Sequence, residues 1–279
     1  MGTSVNGSGP ILAEDENIRN FLQKYPENVD VHVVIMGRSG VGKSEFINEV
    51  LREEYGHNLK PEQLMKVEHT LRRCTTEVRT AGLRKTSEGR RIVLVDTPGL
   101  DGVINGNEDQ APPIETVANW LRDIHTANLL LAGIIWLFDI SQNALCLEDY
   151  ECLRTLQELC GADSLSRILI ATTKWEKERG EQTEKIMSLE KFLEPITKAG
   201  AKFVQGKCPA RDIIAKSLAG HNSGAVLQIQ DEMGVKRKPF SKTIVGASYL
   251  RTHKPASSDR ASGAYAWFRR LFTMGRFGK

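Results

Sequence analysis

The sequence predicts an α/β fold: a mostly parallel sheet flanked by helices, with a C-terminal helical extension. Three observations predict it. Apolar, β-branched runs recur at Val31–Met36 (VHVVIM), Arg91–Val95 (RIVLV) and Leu129–Phe138 (LLLAGIIWLF), and such continuity marks strands covered on both faces. Stretches with helical spacing lie between them, so strand and helix alternate as in a parallel sheet with crossover helices. A glycine-rich loop, Gly37–Ser44 (GRSGVGKS), joins the first strand to the first helix, on the edge where such sheets hold ligands.

The elements follow in order. Residues 1–28 form a flexible N-terminal segment, rich in Gly and Ser over Met1–Pro10, with a short helix over Asn17–Tyr25 that ends before Pro26. Gly2 follows Met1, but Asn6 stands where a myristoylation signal needs Ser or Thr, so no lipid anchor is expected. Residues 29–220 carry the main domain. Phe46, Ile47 and Val50 give a helix over Lys43–Leu51, and Gly56–Arg73 is a long polar connection of the kind that is functional or mobile. Glu77–Leu83 alternates like a strand, and Gly102–Pro113 is a loop suited to movement. Val117, Leu121 and Ile124 predict a helix over Ile114–Ile124, and Leu153, Leu156 and Leu159 one over Glu148–Cys160 that stops at Gly161. A strand at Arg167–Ala171 precedes a helix over Thr183–Ala199, with Ile186, Leu189, Leu193 and Ile196 as its stripe and Pro195 expected to kink it or end it early. Ala201–Val204 reads as a last strand and Asp212–Leu218 as a last helix. Residues 221–250 form the extension, partly helical with a break near Gly234–Pro239, and residues 251–279 a basic, aromatic tail.

The chemistry concentrates in four places. In the loop, Gly37, Gly40 and Gly42 permit positive φ and close approach, so backbone N–H groups of Gly37, Arg38, Ser39, Gly40, Val41 and Gly42 can face a polyphosphate at the positive end of a helix. Lys43 supplies a point charge to the phosphates, Ser44 a hydroxyl to Mg²⁺, and Glu45 follows in the same turn. Chance would give this pattern to about one chain in a hundred of this length. Thr75 and Thr76 stand where a switch residue would bind Mg²⁺ and the terminal phosphate; the alternative is a strand-entry pair of β-branched residues. Asp96, at the carboxyl end of a strand, is placed to hold Mg²⁺ through water, and the Gly99 N–H to meet the terminal phosphate. Thr173, Lys174 and Glu176 (TKWE) stand at the next strand end: a carboxylate accepts guanine N1–H and N2–H₂ together and rejects adenine, while the Lys174 stem lies along the base. The alternative for Glu176–Arg179 is a solvated helix start. The Gln205–Ala210 loop carries no Ser-Ala-Lys sequence for a further base contact.

Composition bounds the rest. The chain has 279 residues, 40% of them hydrophobic, and a net charge of only +3, which does not point to nucleic acid. No apolar run is long enough to cross a bilayer, no secretory signal is seen, and the five cysteines lack metal spacing, so a cytoplasmic, reducing location is expected. Residues 251–279 hold seven Lys or Arg against the single acidic Asp259, and Trp267, Phe268, Leu271 and Phe272 share one helical face. That pattern suits peripheral contact with an intracellular membrane; the alternatives are a disordered tail or a helix docked on the domain.

GRSGVGKS, CTTEV, VLVDTPG, LLLAGIIWLFDIS, TTKW and LQIQ together resemble the fungal branch of the immunity-associated, AIG-type GTPases, in the paraseptin group that also includes septin and chloroplast-import GTPases. The resemblance spans Val31–Leu250. It implies a Ras-like P-loop domain that binds GTP or GDP with Mg²⁺, with Ser44, Thr75 and Asp96 around the metal and Lys43, Thr75 and Gly99 at the reacting phosphate. It also implies a nucleotide-dependent homodimer formed across the nucleotide face. Glu176 departs from the family's Asp. Leu100 stands where Ras-like enzymes hold a water-orienting Gln, so slow hydrolysis is expected. Arg38, Arg72 and Arg73 are candidates to stabilise transition-state charge, with solvated arginines as the alternative. Two other readings stand beside the slow GTPase: a membrane-associated GTP-binding scaffold, and an ATP-binding P-loop protein.

Overall fold

The computed structural model describes residues 30–56, 58–67, 77–85, 91–101, 111–142, 144–175, 179–219 and 226–253. Six strands, β1 (Asp30–Gly37), β2 (Arg79–Gly82), β3 (Arg91–Asp96), β4 (Leu130–Asp139), β5 (Ile168–Thr173) and β6 (Lys202–Phe203), form one sheet in the order β2-β3-β1-β4-β5-β6. Every pairing is parallel except β2 with β3, which are joined by a connection short enough for an antiparallel pair. The chain order reverses at β1, which lies between β3 and β4. The loops that leave the carboxyl ends of β1, β3, β4 and β5 therefore open onto a common crevice.

The apolar runs became strands because both of their faces are covered. Val34 and Met36 of β1 join Ile134, Trp136 and Phe138 of β4 in one core layer, and Val31, Val33 and Ile35 join Ile135 and Leu137 in the other. Against the second layer pack α1 (Lys43–Tyr55) and α5 (Ala210–Leu218); against the first pack α2 (Pro113–Thr126), α3 (Leu147–Cys160) and α4 (Arg179–Lys198). The predicted inward residues of α2 and α3 are buried. In α4, Ile186 is only half-buried, and the stripe is completed by Phe192, whose ring meets Phe138 and Tyr150 edge-on.

Pro195 does not end α4 early: the helix continues to Lys198. Pro195 falls in the last turn, where it removes one backbone bond, and the fully buried Leu193 and Ile196 on either side hold that turn on the core. Leu129 lies outside β4 and is 44% exposed, because Asn128 turns the chain with a positive φ just before it.

The extension is part of the same core. A short helix, α6 (Gln228–Gln230), runs into a π-helical turn over Asp231–Val235, and α7 (Ile244–Thr252) follows the break expected near Gly234–Pro239. Leu227, Ile229, Met233, Phe240, Val245 and Tyr249 are buried with α2 and α3. Gln230 donates from Nε2 to the Leu121 carbonyl at 3.1 Å and accepts the Leu227 N–H at 3.0 Å. Glu232, 1% exposed, is neutralised by Lys238 at 2.8 Å and accepts the Ile244 N–H at 2.9 Å, which fastens α7 to the π-helical turn. No described helix is long and apolar enough to cross a membrane.

Candidate functional site

The loop after β1 is shaped by its glycines. Gly42 is the N-cap of α1 with φ 94° and no side-chain cap, so the first-turn N–H groups of α1 receive no side-chain acceptor from it. A side chain at Gly37 would meet the Leu137 carbonyl oxygen at 2.7 Å, which explains how closely the loop hugs β4.

Lys43 is 6% exposed, and its Nζ donates to the carbonyls of Arg38 at 2.7 Å and Gly37 at 3.3 Å. Burial pushes its pKa down, against the pull of Asp96 and Asp101. The Ser44 hydroxyl donates to Asp96 Oδ2 at 2.6 Å, so two residues 52 positions apart meet beside the first turn of α1. Both offer hard oxygen ligands. Among the described residues no three His, Cys, Asp or Glu gather as a metal cage. This donor set suits Mg²⁺, which takes one or two protein oxygens together with phosphates and waters.

The segment after β3 lies against the loop. Thr97 is fully buried and donates from Oγ1 to the Ile35 carbonyl at 2.7 Å, locking this turn to β1. A Cβ at Gly99 would stand 2.4 Å from Ser39 N, so only glycine fits. Leu100 donates its N–H to the Gly37 carbonyl at 3.3 Å and buries its side chain in the core. Asp101 accepts the Ser39 N–H at 2.8 Å.

Arg38 is not a solvated arginine. Its Nη1 donates to Asp149 at 2.9 Å and to Cys146 Sγ at 2.9 Å, tying the loop to the first turn of α3. Asp149 also accepts the Cys146 N–H at 2.9 Å, which caps that helix. Glu45 turns along α1 to Arg52, at 2.6 Å.

At the end of β5, Thr173 donates from Oγ1 to the Val41 carbonyl at 2.6 Å, a strut between strand and loop. Lys174 has φ 60° and places its Nζ 2.8 Å from Asp139 at the end of β4. Burial alone would raise the Asp139 pKa; hydrogen bonds from Lys174 and Ser141 outweigh it and hold the carboxyl below its usual range. Thr75, Thr76, Arg72, Arg73 and Glu176, and the tail beyond His253, lie outside the described residues.

The structure thus brings Gly37 to Ser44, Asp96, Gly99, Thr173 and Lys174 to one edge of the sheet. Sequence reading did not find Asp101, Asp139 and Asp149, and it placed Thr97 in the DTPG motif without foreseeing its bond to β1. Asp101 adjoins that motif and had a local signal; Asp139 ends a strand that was read from its apolar run, and Asp149 had no local signal. A separate cavity of about 530 Å³ lies beside Arg38, between Trp136 and Phe138 of β4 and Leu189 of α4.

The sequence model of the AIG1 family matches residues 31–230. No curated protein matches the chain. Among solved structures, Toc33 from Arabidopsis thaliana in complex with GDP and Mg²⁺ is similar at 15% identity and a TM-score of 0.52, over 76% of this chain and 94% of Toc33. Toc33 in complex with Mg²⁺ and GMPPNP is similar at 14% identity and a TM-score of 0.51, over 75% and 92%. A dimerization-deficient mutant of Toc33 matches at 15% identity and a TM-score of 0.51, over 77% and 95%. These likenesses show the fold: a Ras-like P-loop GTPase fold with the mostly parallel sheet and the C-terminal helices.

Proposed function

The chain belongs to the AIG1 family, and from that premise we propose that it binds Mg²⁺-GTP at Gly37–Ser44 and hydrolyses it slowly. One observation carries the proposal: the Lys43 ammonium, the Ser44–Asp96 pair and the uncapped start of α1 converge on one edge of the sheet. These are the charge, the metal ligands and the amides that a magnesium triphosphate needs. The nucleotides and Mg²⁺ held by Toc33 support it. Preference for guanine rests on Lys174, which follows β5, and on Glu176 two residues further along the sequence. Thr75 would complete the metal shell.

Slow hydrolysis, below roughly 1 s⁻¹, is supported by Leu100, whose buried side chain offers the attacking water no hydrogen bond. Arg38 is held by Asp149 within the chain, so transition-state charge would be met by a second copy across the nucleotide face. The existence of a dimerization-deficient Toc33 mutant supports a homodimer. The basic and aromatic make-up of residues 251–279 supports a cytoplasmic protein that touches an intracellular membrane through that tail, and flotation with anionic vesicles tests the contact. The burial of Leu100 equally favours a second reading, a GTP-binding scaffold with negligible hydrolysis; GTP retained through purification would select it.

Titration with mant-GDP and mant-ADP, with Mg²⁺ and with EDTA, tests the core of the proposal. Magnesium-dependent binding that GTP, but not ATP, displaces is expected; no affinity for either purine nucleotide would overturn it. Turnover per molecule should rise from nanomolar to micromolar protein, and a fast, flat rate excludes the homodimer.

A further inference from the structure

We propose that Asp101 is an internal carboxylate that occupies the terminal-phosphate end of the loop and sets the preference between nucleoside diphosphate and triphosphate. The inference rests on the nucleotide reading of this site and goes beyond it by naming what competes with the ligand.

One amide donor and two cations act on this one carboxylate. Its Oδ1 accepts the Ser39 N–H at 2.8 Å, and its Oδ2 lies 3.7 Å from Arg38 Nε, with both side chains mostly buried at 18% and 15% exposure. The Lys43 ammonium also feels the Asp101 charge. Loop amides, a guanidinium and a buried lysine are what a phosphate oxygen seeks. The carboxylate is held there by its own chain: Leu100 N–H bonds the Gly37 carbonyl, and Gly99 packs on Ser39 with no room for a Cβ. These contacts hold the Asp101 backbone beside the loop, so its carboxylate leaves the Ser39 amide either by rotating about its own side-chain bonds or by moving with the 97–101 turn.

A third phosphate brings further negative charge to the same end of the cradle, beside Lys43 and the turn carrying Gly99. Two anions cannot share those donors, so the triphosphate must displace Asp101. A diphosphate, which ends one phosphate earlier, leaves it in place. Arg38 is not set loose by the exchange, because its Nη1 remains on Asp149 at 2.9 Å. A carboxylate displaced together with its backbone would carry Gly99, and the turn after β3 would then respond to the third phosphate through a charge as well as through a glycine amide.

The test compares the full chain with its Asp101→Asn and Asp101→Ala variants. Affinities for mant-GDP and mant-GMPPNP are measured with Mg²⁺, beside thermal melts that check folding. Both variants should improve the affinity for GMPPNP relative to GDP by about tenfold or more, the scale of one nearby charge pair at a protein surface, while GDP affinity moves less than about threefold. Asp101→Asn keeps the size and loses only the charge, so it separates repulsion from packing. An unchanged or lowered ratio in folded variants overturns the inference and leaves nucleotide binding intact. No binding by the unaltered chain overturns the nucleotide reading and this inference with it. Amide exchange at Ser39 in the nucleotide-free protein gives a second reading: it should be faster in Asp101→Ala, and an equal rate counts against the contact itself.

Discussion

Lys43 is buried with its ammonium donating to two carbonyls of its own loop, while Asp96 and Asp101 act on its charge. Lys43→Ala should lower nucleotide affinity by about 100-fold, the loss of one or two charge-assisted hydrogen bonds; mant-nucleotide titration checks it. Asp139 lends itself to a pH test. Its folded pKa lies below the unfolded value of about 3.9. Stability from this group is therefore present above that value and lost as pH falls through the folded pKa. Asp139→Asn should be less stable than the unaltered chain at neutral pH, and the gap should close below about pH 4, as read by urea midpoints across that range. Lys43, Ser44, Asp96 and Gly99 were legible because a motif fixes residue type and spacing within a few positions. Asp149 was not: it reaches Arg38 across 111 residues, and nothing around it in the chain marks that meeting.

At the scale of elements, α7 depends on Gly246, where a Cβ would stand 1.9 Å from the Phe240 carbonyl oxygen. Gly246→Ala should lower stability by about 2–4 kcal/mol, as overpacking against backbone does. Leu250→Ala, at a residue 43% exposed, should change it by less than about 0.5 kcal/mol. Paired thermal melts would distinguish the two. Helix α3 turns Cys152 and Cys160 into the core, and burial pushes the Cys160 thiol up to about 12. Thiol reagents at pH 8 should leave both untouched in the folded protein and label them in urea, with Cys146 and Cys208 reacting ahead of them among the described cysteines; peptide mass spectrometry reads the order. The strands and helices of the sheet were legible because apolar runs and helical spacing are local patterns. The continuation of α4 through Pro195 was not, because the burial of Leu193 and Ile196 decides it.

For the whole molecule, the extension is structural. Deleting residues 226–253 would strip Leu227, Ile229, Met233, Phe240, Val245 and Tyr249 from the core. At roughly 2 kcal/mol for each buried side chain, the loss of about 12 kcal/mol is comparable with the ordinary 5–15 kcal/mol stability of a domain. The truncated chain should show no cooperative melt by circular dichroism and should aggregate on gel filtration. The sequence by itself determined the α/β class, the strand and helix order, the glycine-rich loop between the first strand and helix, and the serine and aspartate that meet beside it. Each depends on residue periodicity or on a short motif whose spacing the backbone geometry enforces. Only the tertiary structure decided that the extension shares the core, that Thr173 braces the loop through Val41, and that Asp101 lies on the Ser39 amide. Those contacts join residues 62 to 132 positions apart, and a partner at that distance is chosen by where the sheet order delivers it.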